Sequence, residues 1–180
     1  SSGAKITTSD NCSALGISAL RYNSGSENTA IGTSALRGAN GSSTGSFNTS
    51  VGSDSFKNLT TGNNNVAVGY NSGLTISTGS NNTCLGDGAD GDATLSNQIA
   101  IGNDAKTTAS NECVIGNDSL THIRPMGTCD LGTPTNNFNN AYFSGFVEVD
   151  LLDTRTATTL TLGSAKATKI EIADTGIIPE

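Results

Sequence analysis

The sequence predicts an all-β protein, a parallel β-solenoid of about eight short rungs. Three observations carry that expectation: a glycine that recurs at near-constant spacing, an aliphatic residue before each such glycine, and a shortage of large apolar side chains. The glycines are Gly16, Gly32, Gly52, Gly69, Gly86, Gly102, Gly116 and Gly132, separated by 16, 20, 17, 17, 16, 14 and 16 residues. Helical-hairpin and propeller repeats need roughly 33–50 residues, so this period is too short for them. It suits a coil with two short strands and two turns per rung.

Of the 180 residues, 34% are hydrophobic and 4% aromatic, with no Trp, which approaches the composition of disordered chains. A charged fraction of 14% and the strict placement of the apolar residues argue for order instead. A core this thin needs burial from stacked rungs or from other subunits. The formal net charge of −7 argues against nucleic acid as a partner, because phosphate binding needs clustered Lys and Arg. No apolar run approaches the roughly 18 residues of a membrane span, so no membrane insertion is expected. The ends, "SSGAK" and "IIPE", read as cut from something longer.

Within each rung the first strand precedes the glycine. Its last residues, Leu15, Ile31, Val51, Val68, Leu85, Ile101, Ile115 and Leu131, are all aliphatic. Two positions earlier stand Ser13, Thr29, Thr49, Val66, Thr83, Ile99, Cys113 and Cys129, all small or β-branched. Strand side chains alternate faces, so these two columns share a face, read here as pointing into the coil. The column between them, Ala14, Ala30, Ser50, Ala67, Cys84, Ala100 and Val114, with Asp130 in the last rung, then faces outward. Its small side chains suit close approach of another backbone, which makes those seven the candidates for a subunit interface; the alternative is a plain exposed face. An ice-binding sheet would need outward Thr columns, whereas the repeated Thr are read as inward.

After the glycine, "ISAL", "TSAL" and "SDSF" read as a second strand anchored by Leu20, Leu36 and Phe56. The anchor fades to Gly73 and Asp90 before Leu120 restores it. "GSE", "GSF", "TGNNN" and "TGSNN" supply the Gly and Asn that tolerate left-handed turns.

Chemistry is sparse. The four cysteines, Cys12, Cys84, Cys113 and Cys129, form no CxxC pair and match no zinc framework. Cys113 and Cys129 occupy one slot of adjacent rungs, within conceivable disulfide range; free buried thiols are the preferred reading. His122 has no second His or Cys at ligand spacing and is read as a solvated turn residue. There is no GxSxG, P-loop or HExxH motif, so no catalytic residue and no cofactor is expected. The acidic cluster "GDGADGD" offers Asp87, Asp90 and Asp92 as weak candidates for calcium, but it misses the EF-hand spacing and reads as a solvated turn. The sequons at Asn40, Asn48, Asn58 and Asn117 are those expected by chance in so Asn- and Ser-rich a chain.

From Thr133 the repeat stops. "LGTPTNNFNNAYFSGFVEVD" concentrates Phe138, Tyr142, Phe143 and Phe146, aromatics suited to sealing the coil end, with a carbohydrate-stacking platform as the rival idea. "TATTLTLGSAKATKIEIADTGI" has strand alternation and is too short to close a sheet alone, so strands shared among subunits are expected there. The organisation is therefore repeats over 1–132, an aromatic transition over 133–150, and a shaft-like, β-prism-like segment over 151–180.

"NTAIGTSAL", "NVAVGYNSG" and "NQIAIGNDA" resemble the head repeats of YadA-like trimeric adhesins. They are similar above all to repeats in tail-fibre and spike proteins of bacteriophages and large algal viruses, over roughly Asn11 to Gly132. The resemblance implies a left-handed parallel β-roll, three copies side by side, displayed on a virion or cell surface for attachment. The partners it implies are two further copies of the chain and a host surface receptor, with a glycan among the options. The looser rung lengths depart from the near-14-residue period of bacterial adhesin heads. No anchor or stalk coiled coil is present in the sequence, which tilts the expectation toward a viral fibre. A bacterial adhesin head and a passive fibre spacer are the alternatives.

Overall fold

The computed structural model describes residues 11–39 and 43–123, all within the first of the two units into which backbone contacts divide the chain, Ser1–Arg124. The predicted eighth rung, with Cys129, Asp130, Leu131 and Gly132, lies outside the described residues, as do the segments 133–150 and 151–180.

The described residues form an all-β parallel solenoid of about six turns. Its strands are β1 (Ser13–Leu15), β2 (Thr29–Ile31), β3 (Thr49–Val51), β4 (Val66–Val68), β5 (Thr83–Leu85), β6 (Ile99–Ile101) and β7 (Cys113–Ile115). They pair in sequence order in one parallel sheet. The register places Ala14, Ala30, Ser50, Ala67, Cys84, Ala100 and Val114 in one column, as the spacing of the glycines predicts.

The facing of that column is opposite to the expectation. Ala30, Ser50, Ala67, Cys84 and Ala100 are fully buried, while Leu15, Ile31, Val68, Ile101 and Ile115 are exposed. Only in the terminal strands do the inner residues lose cover, Ala14 being exposed and Val114 half-buried. A second column explains the inversion. Ala19, Ala35, Ser55, Ser72, Ala89 and Ala105, three residues after each glycine, are also buried and face the first. Two backbones this close leave room between them for a methyl, hydroxyl or thiol, not for a branched side chain. Where both columns carry serine, the hydroxyls of Ser50 and Ser55 hydrogen-bond each other.

The expected second strand is a turn. Ser18, Ser34, Asp54, Asn71 and Asp104 have φ of +60°, +57°, +56°, +53° and +53°, and Leu20, Leu36 and Phe56 follow at +53°, +45° and +43°. A left-handed aliphatic or aromatic residue costs about 1–2 kcal/mol. Full burial of each of these three side chains offsets it with about 1.5–3 kcal/mol. The predicted anchors Leu20, Leu36 and Phe56 thus do fill the coil, joined by Leu59 and Ile76. Gly73 breaks the series because the Phe56 ring occupies the volume where its side chain would stand. Leu120 does not restore the anchor; it is exposed.

Rung length varies in only one part of the turn. From Gly25 to Gly32, Gly45 to Gly52, Gly62 to Gly69 and Gly79 to Gly86 the step is 7 residues, and Leu95 to Gly102 and Ala109 to Gly116 repeat it. The remaining arcs, counted from each strand-closing glycine, take 9, 13, 10, 10, 9 and 7 residues. All the irregularity that distinguishes the rungs is on that far side.

Candidate functional site: the outward sheet face and its corner

The constant seven-residue segment is held by two side-chain ladders. In the first, the residue preceding each of β2 to β6 is buried: Asn28, Asn48, Asn65, Asn82 and Gln98. The backbone N–H of Asn48 donates to Asn28 Oδ1 (2.8 Å), that of Asn65 to Asn48 Oδ1 (3.0 Å), that of Asn82 to Asn65 Oδ1 (2.8 Å) and that of Gln98 to Asn82 Oδ1 (2.9 Å). The Nδ2 groups of Asn28, Asn48 and Asn65 donate into that same following rung, to the Gly45, Gly62 and Gly79 carbonyls at 2.8, 3.0 and 3.0 Å. A carboxamide both donates and accepts, so one side chain satisfies a buried N–H and a buried carbonyl of the following rung. Cys12 occupies the first slot, its sulfur accepting from Asn28 N–H at 3.3 Å. The ladder stops where Gln98 brings an extra methylene: its buried Oε1 finds no partner among the described residues.

The second ladder runs in the opposite sense. N–H groups of Ser26, Ser46, Asn63, Ser80 and Ser96 donate to side-chain oxygens of Ser46, Asn63, Ser80, Ser96 and Ser110 in the following rung. Sequence reasoning assigned these Asn and Ser to turn propensity alone. Their fixed place, one and three residues ahead of the strands β2 to β6, was the available signal.

With the ladders holding the corner, the strands turn an unbroken aliphatic column outward: Leu15, Ile31, Val51, Val68, Leu85, Ile101 and Ile115. Exposure reaches 69% at Leu15 and 52% at Ile115, with Val51 and Leu85 half-buried. Beside it runs the Ser13, Thr29, Thr49, Val66, Thr83, Ile99 and Cys113 column, also outward, so the repeated Thr are not inward as the sequence reading had them. That column mixes Thr with Val, Ile and Cys. The seven residues proposed as interface candidates do not form this surface. Ala30, Ser50, Ala67, Cys84 and Ala100 line the coil interior, and Ala14 and Val114 share their column.

At the corner between the two ladders stands a left-handed, exposed position: Asn11, Glu27, Phe47, Asn64, Asn81, Asn97 and Asn111, with φ between +57° and +62°. Asn tolerates this conformation better than other residues with a side chain. Phe47 is the misfit, with its ring 60% exposed.

The acidic cluster is dispersed. Asp87 is exposed, and Asp92 accepts from the Thr94 N–H at 3.1 Å. Asp90 is buried rather than solvated, its carboxylate held by the N–H groups of Thr75 (3.1 Å to each oxygen) and Gly91 (2.9 Å). Asp90 thus serves as a turn staple. Among the described residues no group of three or more His, Cys, Asp and Glu is placed to hold a metal ion. His122 is exposed beside the Thr121 hydroxyl. Cys84 is a buried free thiol, pushed up to about 12 by burial and secondarily by Asp90. Cys113, expected to be buried, is a free thiol exposed on the outward face. No helix among the described residues is long and apolar enough to cross a membrane.

Compared with known proteins, the chain matches no family model, no curated protein and no solved structure. The functional reading therefore rests on the chain's own residues.

Proposed function

We propose that the chain is a non-catalytic segment of a homotrimeric virion fibre or spike that contributes to attachment to a host cell. The observation that carries the reading is the outward aliphatic column from Leu15 to Ile115. A solitary soluble rod has no use for seven stacked branched side chains in water, and a contiguous apolar surface of this kind marks an association face. Three copies packing these columns against one another around a common axis would bury it, as the resemblance to trimeric adhesin and fibre repeats implies. The interface is thereby assigned to the aliphatic and β-branched columns instead of the Ala14–Val114 column. A rod held by backbone and side-chain ladders suits display at a distance from a surface, and the virion surface is the proposed location.

The test is the mass of the protein by light scattering at micromolar concentration, with binding to host cells measured on the same preparation. A trimer that binds cells supports the reading. A monomer overturns it. A trimer that binds nothing leaves the passive spacer in its place, and a signal peptide with an outer-membrane anchor in the full gene would point to a bacterial adhesin head.

A further inference from the structure

The geometry points to a glycan-binding strip at the left-handed corner, formed by Phe47 with Asn64 and Asn81. The inference deepens the attachment reading above and rests on it for its biological purpose. Asn stands at five of the seven positions of this column, and the other two are Glu27 and Phe47. Glu27 is accounted for, because its carboxylate accepts from Asn11 Nδ2 at 2.7 Å. At the far end Asn97 Nδ2 donates to Asn111 Oδ1 at 2.8 Å. The three positions between these pairs are different: Phe47, Asn64 and Asn81 are exposed, and no hydrogen bond of the Asn64 or Asn81 side chain is made among the described residues.

Phe47 is unfavourable where it is on two counts. Its φ of +61° is one that aromatic residues avoid, and its ring gains no burial in return, unlike the rings and branches of Phe56 and Leu36. A strained residue at an exposed site, departing from what its own repeat prefers, signals a gain made elsewhere. What the strip presents is one flat apolar ring, then two carboxamides one and two rungs away, at steps of about 4.8 Å. A carboxamide offers both donors and an acceptor, the complement of vicinal hydroxyls. A ring face with a polar rim complements a pyranose, whose C–H face is apolar and whose edge carries hydroxyls. An extended oligosaccharide laid along the rod axis would place successive sugars over successive rungs.

The experiment uses the wild-type chain, F47N, the double variant N64A/N81A and the control N97A on an array of immobilised oligosaccharides, with light scattering and thermal melting of each. F47N restores the residue the column prefers, so it folds. The expected result is that wild type and N97A bind at least one glycan class, while F47N and N64A/N81A bind at least tenfold more weakly. All four should have the same mass, and F47N an equal or higher Tm. Three results overturn the inference: no glycan bound by wild type, binding by F47N equal to wild type, or loss of assembled mass in F47N. The last would assign the ring to contacts between copies. A monomeric wild type that binds glycan through Phe47 would overturn the trimeric reading and leave this one standing.

Discussion

The Oδ1 of Asn48 lies 3.0 Å from the backbone nitrogen of Asn65 and 3.1 Å from its Nδ2, while the backbone nitrogen of Asn48 reaches back to Asn28 at 2.8 Å. One buried asparagine, through its backbone N–H and its carboxamide, thus joins three rungs.

Replacing a middle member should therefore cost more than a turn residue would. In Asn65→Ala the N–H of Asn82 and the carbonyl of Gly79 both lose their partner inside the coil. Two unsatisfied buried groups predict a loss of roughly 2–4 kcal/mol. Denaturant melting checks it, with Asn64→Gly, one residue away, exposed and at a left-handed φ of +57° that glycine adopts freely, as the near-neutral comparison.

Gly69 and Gly73 should fail for different reasons. A Cβ on Gly69, at φ +138°, would strike the Gly86 carbonyl oxygen, which is backbone and has nowhere to go. Gly69→Ala should cost about 3 kcal/mol or more. A Cβ on Gly73 would meet the Phe56 ring instead. Gly73→Ala should be partly rescued by Phe56→Leu, a positive coupling that a double-mutant cycle in melting experiments reads directly.

The two strand columns separate folding from assembly. Val68→Lys in the outward column should change the stability of an isolated subunit by no more than about 0.5 kcal/mol and abolish the trimer in light scattering. Ala67→Leu, one residue away in the closed interior, should cost about 2 kcal/mol or more by overpacking. The opposite pattern would restore the interface to the small-residue column.

Thiol chemistry and pH give another check. Cys84, raised from 9.0 to about 12, should resist iodoacetamide at pH 8, whereas exposed Cys113 should react in subunits and be protected in the trimer, as mass spectrometry would show. Because the folded thiol ionises later than the unfolded one, its contribution to stability is full below pH 9 and declines between pH 9 and about 12. Melting temperatures should fall across that window and fall less in Cys84→Ala. At the acid end, Glu112 is held below the usual carboxylate range by the N–H groups of Thr108 and Ala109. Its contribution is present at neutral pH and disappears as the carboxylate protonates.

The repeat, the register and the parallel coil were legible because glycine and the aliphatic residue before it recur at matching positions. Which face is inside was not. A segment such as "VAV" has period two, which says that Val66 and Val68 share a face without saying which way it points. Applying the usual expectation of large side chains inside fails where two backbones stand only an alanine apart. The turn at Leu36 was misread for a related reason. "TSAL" has acceptable strand composition, and the burial won by Leu36 and Ala35 overrides the cost of a left-handed backbone. The corner at Phe47 was invisible until the conformation of its column was known.

The fixed seven-residue segment and the elastic arc behind it also bear on how such a rod can change over generations. Insertions on the far side, like the one that makes the Gly32-to-Gly52 rung 20 residues long, leave the strand, both ladders and the glycine stack in phase. A single residue gained or lost between Gly62 and Gly69 would turn β4 inside out. The molecule therefore keeps its innovation and its arithmetic in separate places, and can redraft one flank rung by rung while every rung still counts the same.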